Sequence, residues 1–159
     1  MNKEKASIKL INRKEIKEIK KMISDQFGFD DGLDYSFFQN DKGRVFIVTK
    51  DISNIDFERL KINNIGLYFA QIKNGRIRLS IDGSQLIGGL CSKNVLEVDD
   101  KKSEEWMRGE EITTEIQLKD NEFYIIKNKN DFIGSGKASG NRILNFIGKP
   151  RRLMRKAPS

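Results

Sequence analysis

The spacing of hydrophobic residues near the N-terminus predicts a helix. Isoleucines recur there at intervals of three and four residues, which places them on one helical face with lysines opposite. Asn12 is a suitable N-cap, and Glu15 stands three residues later, as in a capping box. We therefore predict a helix over residues 12–23, followed by an acidic turn over residues 26–34.

Alternating polar and apolar residues predict a β-hairpin in the middle of the chain. An apolar strand over residues 65–73 leads into Asn74-Gly75, a favoured type I′ turn pair, and residues 76–81 then alternate strictly. Isoleucine and leucine side chains of the second strand should point one way, with Arg76 and Arg78 pointing the other.

Other elements follow from shorter patterns. The β-branched run RVFIVT predicts a strand over residues 44–49, and Asp51 or Ser53 could cap a short helix ending at Leu60. A second short helix is predicted over residues 103–108, with Gly109 ending it. Further strands are predicted over residues 93–98, 112–118, 123–127, 132–138 and 142–147.

The pattern divides the chain into two halves. Gly88-Gly89 separates a mixed helix-and-strand half from a half made of short strands joined by turns, which is typical of a small barrel or sandwich. We therefore predict an α+β protein, with an α/β domain over residues 1–88 and a β domain over residues 89–159.

The positive charge is concentrated at the C-terminal end. The net charge is +7, and no acidic residue follows Asp131. The last 28 residues hold seven cations, whereas the preceding 131 residues hold 23 basic and 23 acidic residues. A local, uncompensated basic surface suits a phosphate backbone or an anionic membrane.

Residue usage disfavours most enzyme classes. The chain has no histidine, which removes the usual zinc ligand and the usual general base near neutral pH. Cys91 is the only cysteine, so neither a disulfide framework nor a thiolate metal cluster is expected. No signal peptide and no run of about 18 apolar residues is present, so we predict a cytoplasmic protein that does not enter the membrane.

Two motifs suggest ligand sites but fit them poorly. Gly134-Ser135-Gly136-Lys137 resembles part of a phosphate loop, but Asp131 and Ala138 stand where a glycine and a Ser or Thr are needed. We interpret it as a strand whose glycines let another backbone approach closely. The aspartates at 30, 31 and 34 do not have the spacing of an EF-hand loop, and no metal or cofactor is predicted.

Single residues with reactive or aromatic side chains have simpler explanations. We interpret Cys91 as a small packed residue, because no histidine could activate it, and Trp106 as a core anchor rather than a base-stacking platform. An ordinary solvated strand face explains Arg76 and Arg78, and nucleic-acid contact is the alternative.

The C-terminal sequence resembles the PUA domain, an RNA-binding pseudo-barrel. The similar stretches are WMRGEEI, then EFYIIKNKNDFIGSGKA, then NRILNFIGKPRRL. They are closest to the PUA-like ends of Sun/Fmu-type RNA cytosine methyltransferases. The N-terminal stretches GRVFIVTKDI, NIGLYFAQI and GRIRLSIDGSQLIG resemble the domain that precedes PUA in Nip-type ribosome-biogenesis factors.

This resemblance implies a pre-PUA-like domain followed by a PUA-like β pseudo-barrel. It also implies binding of structured RNA, with rRNA or its precursor first and tRNA second, by a non-catalytic factor. The expected contacts are Lys137, Arg142, Lys149, Arg151 and Arg152, together with Asn145, Arg108 and Gly109. Gly109 would let the RNA backbone approach the end of a helix.

Two alternatives remain open. The chain could be an interaction module that docks an RNA-modifying enzyme or a ribosomal protein, in which case the C-terminal cations would scatter rather than share one face. It could also be a carboxylate-based enzyme acting on RNA, which would need two acidic side chains converging beside the basic surface.

Overall fold

The computed structural model describes residues 7–30, 32–50 and 66–154. The predicted helix between Asp51 and Leu60 lies outside these residues. The helices are α1 (Arg13–Phe27), α2 (Ile81–Ile87) and α3 (Asp100–Met107). Strands β1 to β5 are Ile8–Leu10, Tyr35–Asn40, Arg44–Thr49, Leu67–Lys73 and Arg76–Leu79. Strands β6 to β10 are Val95–Glu97, Ile112–Thr113, Phe123–Asn128, Asp131–Ser139 and Arg142–Leu144.

The first unit is an antiparallel sheet in the order β1-β2-β3-β4-β5 with α1 packed on it. The predicted start of α1 is confirmed, since the Asn12 side chain accepts a hydrogen bond from the Glu15 backbone N–H at 2.9 Å. Its predicted end is wrong by one turn: the helix runs to Phe27, and Gly28 ends it with a φ of 65°. The apolar face simply continues, because Phe27 is fully buried.

The β4–β5 hairpin is confirmed in its turn and register. Asn74 and Gly75 both have positive φ, and Ile72 pairs with Ile77 as the type I′ turn requires. The second strand stops earlier than predicted. The Ser80 hydroxyl accepts a hydrogen bond from the Gly83 N–H at 2.9 Å, which starts α2.

The strands β1 and β2 were not predicted. Strand β2 has no alternating pattern because both of its faces are covered: Phe37 packs into the core beneath α1, and Phe38 packs with Val48 on the opposite face. A strand that is buried on both faces loses the period-two signal.

The second unit is a mixed sheet in the order β6-β8-β9-β10-β7, with β6 parallel to β8 and the other pairs antiparallel. The α+β class and most of the predicted strands are confirmed. The strand predicted over residues 112–118 is wrong beyond Thr113, since Thr114 leaves the ladder to bond the Asn141 carbonyl oxygen. Closure into a pseudo-barrel stays a prediction.

The two units share buried contacts across Gly88-Gly89. Ile125 of β8 is fully buried in the core of the first unit, and Ile81 belongs to the core of the second. The buried Ser135 hydroxyl donates to the Leu79 carbonyl oxygen at 2.9 Å. The domain boundary at residue 88 stays a prediction, but an isolated second half would expose part of this shared surface.

No helix among the described residues is long and apolar enough to cross a membrane.

The glycines of β9 let Trp106 pack directly on the strand. The indole of Trp106 is fully buried and donates to the Ile133 carbonyl oxygen at 2.7 Å, which confirms it as a core anchor. A Cβ added at Gly136 would lie 2.2 Å from the Leu144 carbonyl oxygen and 2.7 Å from the Trp106 ring. The interpretation of Gly136 as a site of close backbone approach is confirmed.

Replacing Gly136 with alanine should destabilise the protein by about 1–3 kcal/mol, because the new methyl group overpacks a rigid backbone contact. Thermal unfolding measures the change. Gly32→Ala is the control, since no atom lies within 4 Å of its added Cβ. Equal melting temperatures for the two variants would contradict the packing described for β9.

Candidate nucleic-acid interface

The chain after β10 folds back onto the end of α3. A 3₁₀ turn at Lys149–Arg151 redirects it, and the Leu153 N–H then donates to the Met107 carbonyl oxygen at 2.8 Å. Four of the predicted contact residues, Asn145, Lys149, Arg151 and Arg152, therefore lie on one ordered path that runs from the second sheet to the end of α3. Arg155 and Lys156 lie outside the described residues.

Asn145 ties that path to α3. Its side-chain amide donates to the carbonyl oxygens of Trp106 and Glu110 at 2.8 and 2.9 Å, and its oxygen accepts from the Ile147 N–H at 2.8 Å. Both amide hydrogens and the oxygen are thus engaged within the protein. Asn145 positions the segment, and its direct contact with RNA stays a prediction that these bonds disfavour.

Gly109 and Arg152 form a single contact. Gly109 has a φ of 95°, and a Cβ placed there would lie 2.5 Å from Nε of Arg152. The same Nε donates to the Ile147 carbonyl oxygen at 2.9 Å. The side chain of Arg152 occupies the space above Gly109, so close approach of an RNA backbone there stays a prediction that this contact disfavours. Arg108 lies beside this contact.

Three of the predicted arginines, Arg108, Arg142 and Arg151, form ion pairs with carboxylates. Arg142 lies 3.0 Å from Glu111, and Arg108 lies within 4 Å of Glu104 and Glu110. Such surface pairs contribute about 0–1 kcal/mol each. They also reduce the positive charge that these arginines present to a ligand.

Arg151 reaches across to the first unit. Its guanidinium donates to both carboxylate oxygens of Asp82 at 3.0 and 3.3 Å, and this hydrogen bonding raises the pKa of Arg151 above its ordinary value. Bidentate pairing fixes the orientation of the guanidinium as well as its position. Arg151 therefore fastens the C-terminal turn to α2.

Lys137 and Lys149 have no carboxylate within 4.0 Å among the described residues. Lys137 shares an outer face of the second sheet with Arg142, because their neighbours Ala138 and Ile143 are buried on the other face. Lys149 is exposed on the 3₁₀ turn. These two lysines are the predicted cations that the described structure leaves most available.

The eight predicted residues do not form one continuous patch. Lys137 and Arg142 lie on the second sheet; Lys149 and Arg151 lie on the 3₁₀ turn. The remaining four, Arg108, Gly109, Asn145 and Arg152, meet at the end of α3. Their roles in RNA contact stay predictions, and the structure adds a positioning role for several of them.

Three residues that the sequence did not single out, Arg44, Tyr68 and Phe146, line a cleft between the first unit and this segment. Arg44 and Tyr68 come from β3 and β4, and Phe146 follows β10. Arg78 also lies there and is half-buried, so it is not the ordinary solvated side chain that the strand pattern suggested. The stretch RILNFI has apolar residues at 143, 144, 146 and 147, so no alternation marked Phe146 as an exposed residue.

The second unit matches a known protein family. Residues 93–153 match the family described as "Methyltransferase RsmF PUA domain", a span that contains the whole second sheet. The resemblance to a PUA domain of the methyltransferase type is thereby confirmed for this part of the chain. The match does not extend to the first unit, whose resemblance to the domain of Nip-type factors stays a prediction.

Two curated relatives and one solved structure add to this match. The chain is 30% identical over 96 residues to ribosomal RNA small subunit methyltransferase F from two strains of Vibrio cholerae serotype O1. The alignment covers 60% of this chain but spans only 20% of the relative's length.

The hypothetical protein PH0734.1 of the archaeon Pyrococcus horikoshii OT3 superposes with a TM-score of 0.53 and 12% identity. The superposition covers 87% of this chain and 83% of the archaeal chain. This similarity shows a shared fold across both units.

Proposed function

We propose that this chain binds structured RNA as a non-catalytic factor in ribosome biogenesis or RNA maturation, with rRNA or its precursor as the first target and tRNA as the second. One observation carries the proposal: no acidic residue follows Asp131, and five of the seven cations after it lie within residues 93–153, which match an RNA-methyltransferase PUA domain. The curated relatives are named for action on small-subunit ribosomal RNA.

The proposed mechanism is phosphate neutralisation by a pre-positioned basic segment. Lys137 and Arg142 would contact phosphates along the outer face of the second sheet, and Lys149 would extend that contact onto the 3₁₀ turn. Recognition of RNA shape and of 2′-hydroxyl groups would supply the selectivity. In this proposal the second sheet closes into a PUA-like pseudo-barrel. The proposed location of the protein is the cytoplasm.

The proposal includes the absence of catalysis by the chain itself. Methyl transfer belongs to the complete relatives, and the match carries only a fifth of their length. The chain has no histidine to act as a general base near neutral pH. Cys91 is half-buried, and burial raises the pKa of its thiol to about 11, so it is a poor nucleophile.

A second candidate function is docking of a protein partner, such as an RNA-modifying enzyme or a ribosomal protein. The pairing of Arg142 with Glu111 and of Arg151 with Asp82 favours it, since the cations are partly neutralised and do not share one face. Leu153 and Met154 add exposed apolar surface, with relative exposures of 52% and 92%.

Replacing Lys137 and Lys149 together with alanine should weaken RNA binding and flatten its salt dependence. Each lost phosphate contact removes about 0.7–0.9 from the slope of log affinity against log salt, so the pair should remove roughly 1.4–1.8. Fluorescence anisotropy with a labelled RNA hairpin, measured across a potassium chloride series, gives the slope.

The matched control replaces Lys14 and Lys17 on α1, which are exposed and carry the same total charge. This control should change the slope little, because α1 lies on the first unit. Equal losses in both double variants would show a general attraction to positive charge. No loss from the C-terminal pair would favour the protein-docking function.

Purified protein incubated with RNA and a methyl donor should release no cleaved or modified RNA. Mass spectrometry of the RNA checks both outcomes. Turnover that disappears on replacing one Asp or Glu would support the carboxylate-enzyme alternative instead.

Alkylation of Cys91 by iodoacetamide at pH 8 should be about a hundredfold slower in the folded protein than in urea. The raised pKa, about 11 against 9.0 for a free thiol, lowers the thiolate fraction by that factor. The rate should rise as the pH approaches 11. Mass spectrometry follows the modification, and equal rates in both states would contradict an inert thiol.

A further inference from the structure

A cleft of about 410 Å³ lies between the two units, next to the C-terminal segment. Strands β3, β4 and β5 contribute Arg44, Tyr68 and Arg78 to one wall, while Phe146 and Arg151 come from the segment after β10. The volume lies in the range of pockets that enclose small ligands, which is about 300–1,000 Å³.

An arginine and an aromatic ring form a fixed layer in this cleft. The guanidinium carbon of Arg78 lies 4.2 Å from the centroid of the Phe146 ring. Gln71 holds the same guanidinium through a hydrogen bond of 2.6 Å, so its plane is oriented before any ligand arrives. Phe146 lines the cleft and is 41% exposed, so part of its ring remains accessible to a ligand.

A second arginine–aromatic pair lies in the same cleft. The guanidinium carbon of Arg44 is 5.6 Å from the centroid of the Tyr68 ring, and Phe46 meets that ring edge-on at 5.6 Å. Neither Arg44 nor Arg78 has a carboxylate within 4.0 Å among the described residues, whereas Asp82 neutralises Arg151. The cleft therefore keeps two positive charges beside two aromatic rings.

We propose that this cleft receives one unpaired nucleotide of the bound RNA, which extends the RNA-binding function proposed above and rests on it. The base would stack against the layer of Arg78 and Phe146, and the adjacent phosphate would lie on Arg44. Bases that are free of pairing stack on aromatic rings and on guanidinium planes, and their phosphates need cations nearby.

The position of the cleft favours an RNA strand over a free nucleotide. Gly148, Pro150 and Arg151 line the cleft, and Lys149 stands within the same 3₁₀ turn. An RNA strand held by Lys149 would thus lie at the mouth of the cleft. The cleft needs both units, because the Arg78–Phe146 pair joins a side chain of the first unit to one of the second. The packing of the two units against each other therefore keeps the cleft formed.

The test compares binding of an unstructured oligoribonucleotide with binding of a blunt RNA duplex by fluorescence anisotropy at constant salt. Arg78→Gln and Phe146→Leu should each weaken binding of the oligoribonucleotide by about five- to a hundredfold, the usual loss for one stacked base. Binding of the duplex should be unchanged by Phe146→Leu, which removes no charge.

Arg76→Gln is the matched control for Arg78→Gln. Arg76 lies on the same strand and face, and its guanidinium stands 5.5 Å from the Phe123 ring, but it does not line this cleft. Its replacement removes equal charge and one arginine–aromatic contact, and it should leave binding of the oligoribonucleotide nearly unchanged. Melting temperatures of all variants confirm that each one is folded.

A 2-aminopurine base within the oligoribonucleotide gives a readout that does not depend on charge. Its fluorescence should be quenched on binding to the original protein, because it stacks, and much less on binding to Phe146→Leu. If Phe146→Leu does not fold, Arg78→Gln carries the same comparison.

Several outcomes would overturn the proposal. Equal losses from Arg78→Gln and Arg76→Gln would indicate general charge attraction, as would unchanged quenching in the cleft variants. Displacement of the oligoribonucleotide by a mononucleotide of equal affinity would assign the cleft to a free nucleotide. If the cleft variants bind normally while the Lys137 and Lys149 double variant does not, the cleft fails and the RNA-binding function stands. If the original protein binds no RNA, both fail.

Discussion

The packing of Trp106 on the glycines of β9 determines how the second unit is assembled. The buried indole donates to the Ile133 carbonyl oxygen, and the absence of a side chain at Gly136 lets both the ring and the Leu144 carbonyl approach the strand. The carbonyl oxygen of Trp106 in turn accepts from Asn145. Trp106 therefore contacts both β9 and the path after β10, and these contacts hold the end of α3 against them.

The same strand sets the relation between the units. Ser135, which lies between the two glycines, is buried and donates to the Leu79 carbonyl oxygen. A buried hydroxyl that lost this acceptor would be left unsatisfied at a cost of about 1–3 kcal/mol. This constraint, together with Ile125 packed in the first core, keeps β5 next to the second unit and so maintains the cleft between them.

Charge and structure act together in the C-terminal segment. Arg151 and Arg152 are adjacent in sequence but have different partners, since one pairs with Asp82 and the other covers Gly109. Both hold the segment in place, whereas Lys149, two residues before Arg151, remains exposed. Arg151 and Arg152 thus position the segment, whereas Lys149 remains available for phosphate contact.

Local patterns in the sequence were enough for the elements whose causes are local. The Asn12 cap, the Asn74-Gly75 turn, the strand Arg44–Thr49 and the concentration of charge after Asp131 each depend on neighbouring residues alone. The resemblance of the second half to a PUA domain also came from sequence, because its motifs keep their order along the chain.

Only the tertiary structure decided which side chains meet across long separations. Arg78 and Phe146 are 68 positions apart, and Asp82 and Arg151 are 69 apart, so no periodicity links them. Likewise, the sequence could not show that Arg152 covers Gly109 or that β2 is buried on both faces. Side-chain contacts of this kind depend on how sheets pack, and packing is a property of the assembled chain.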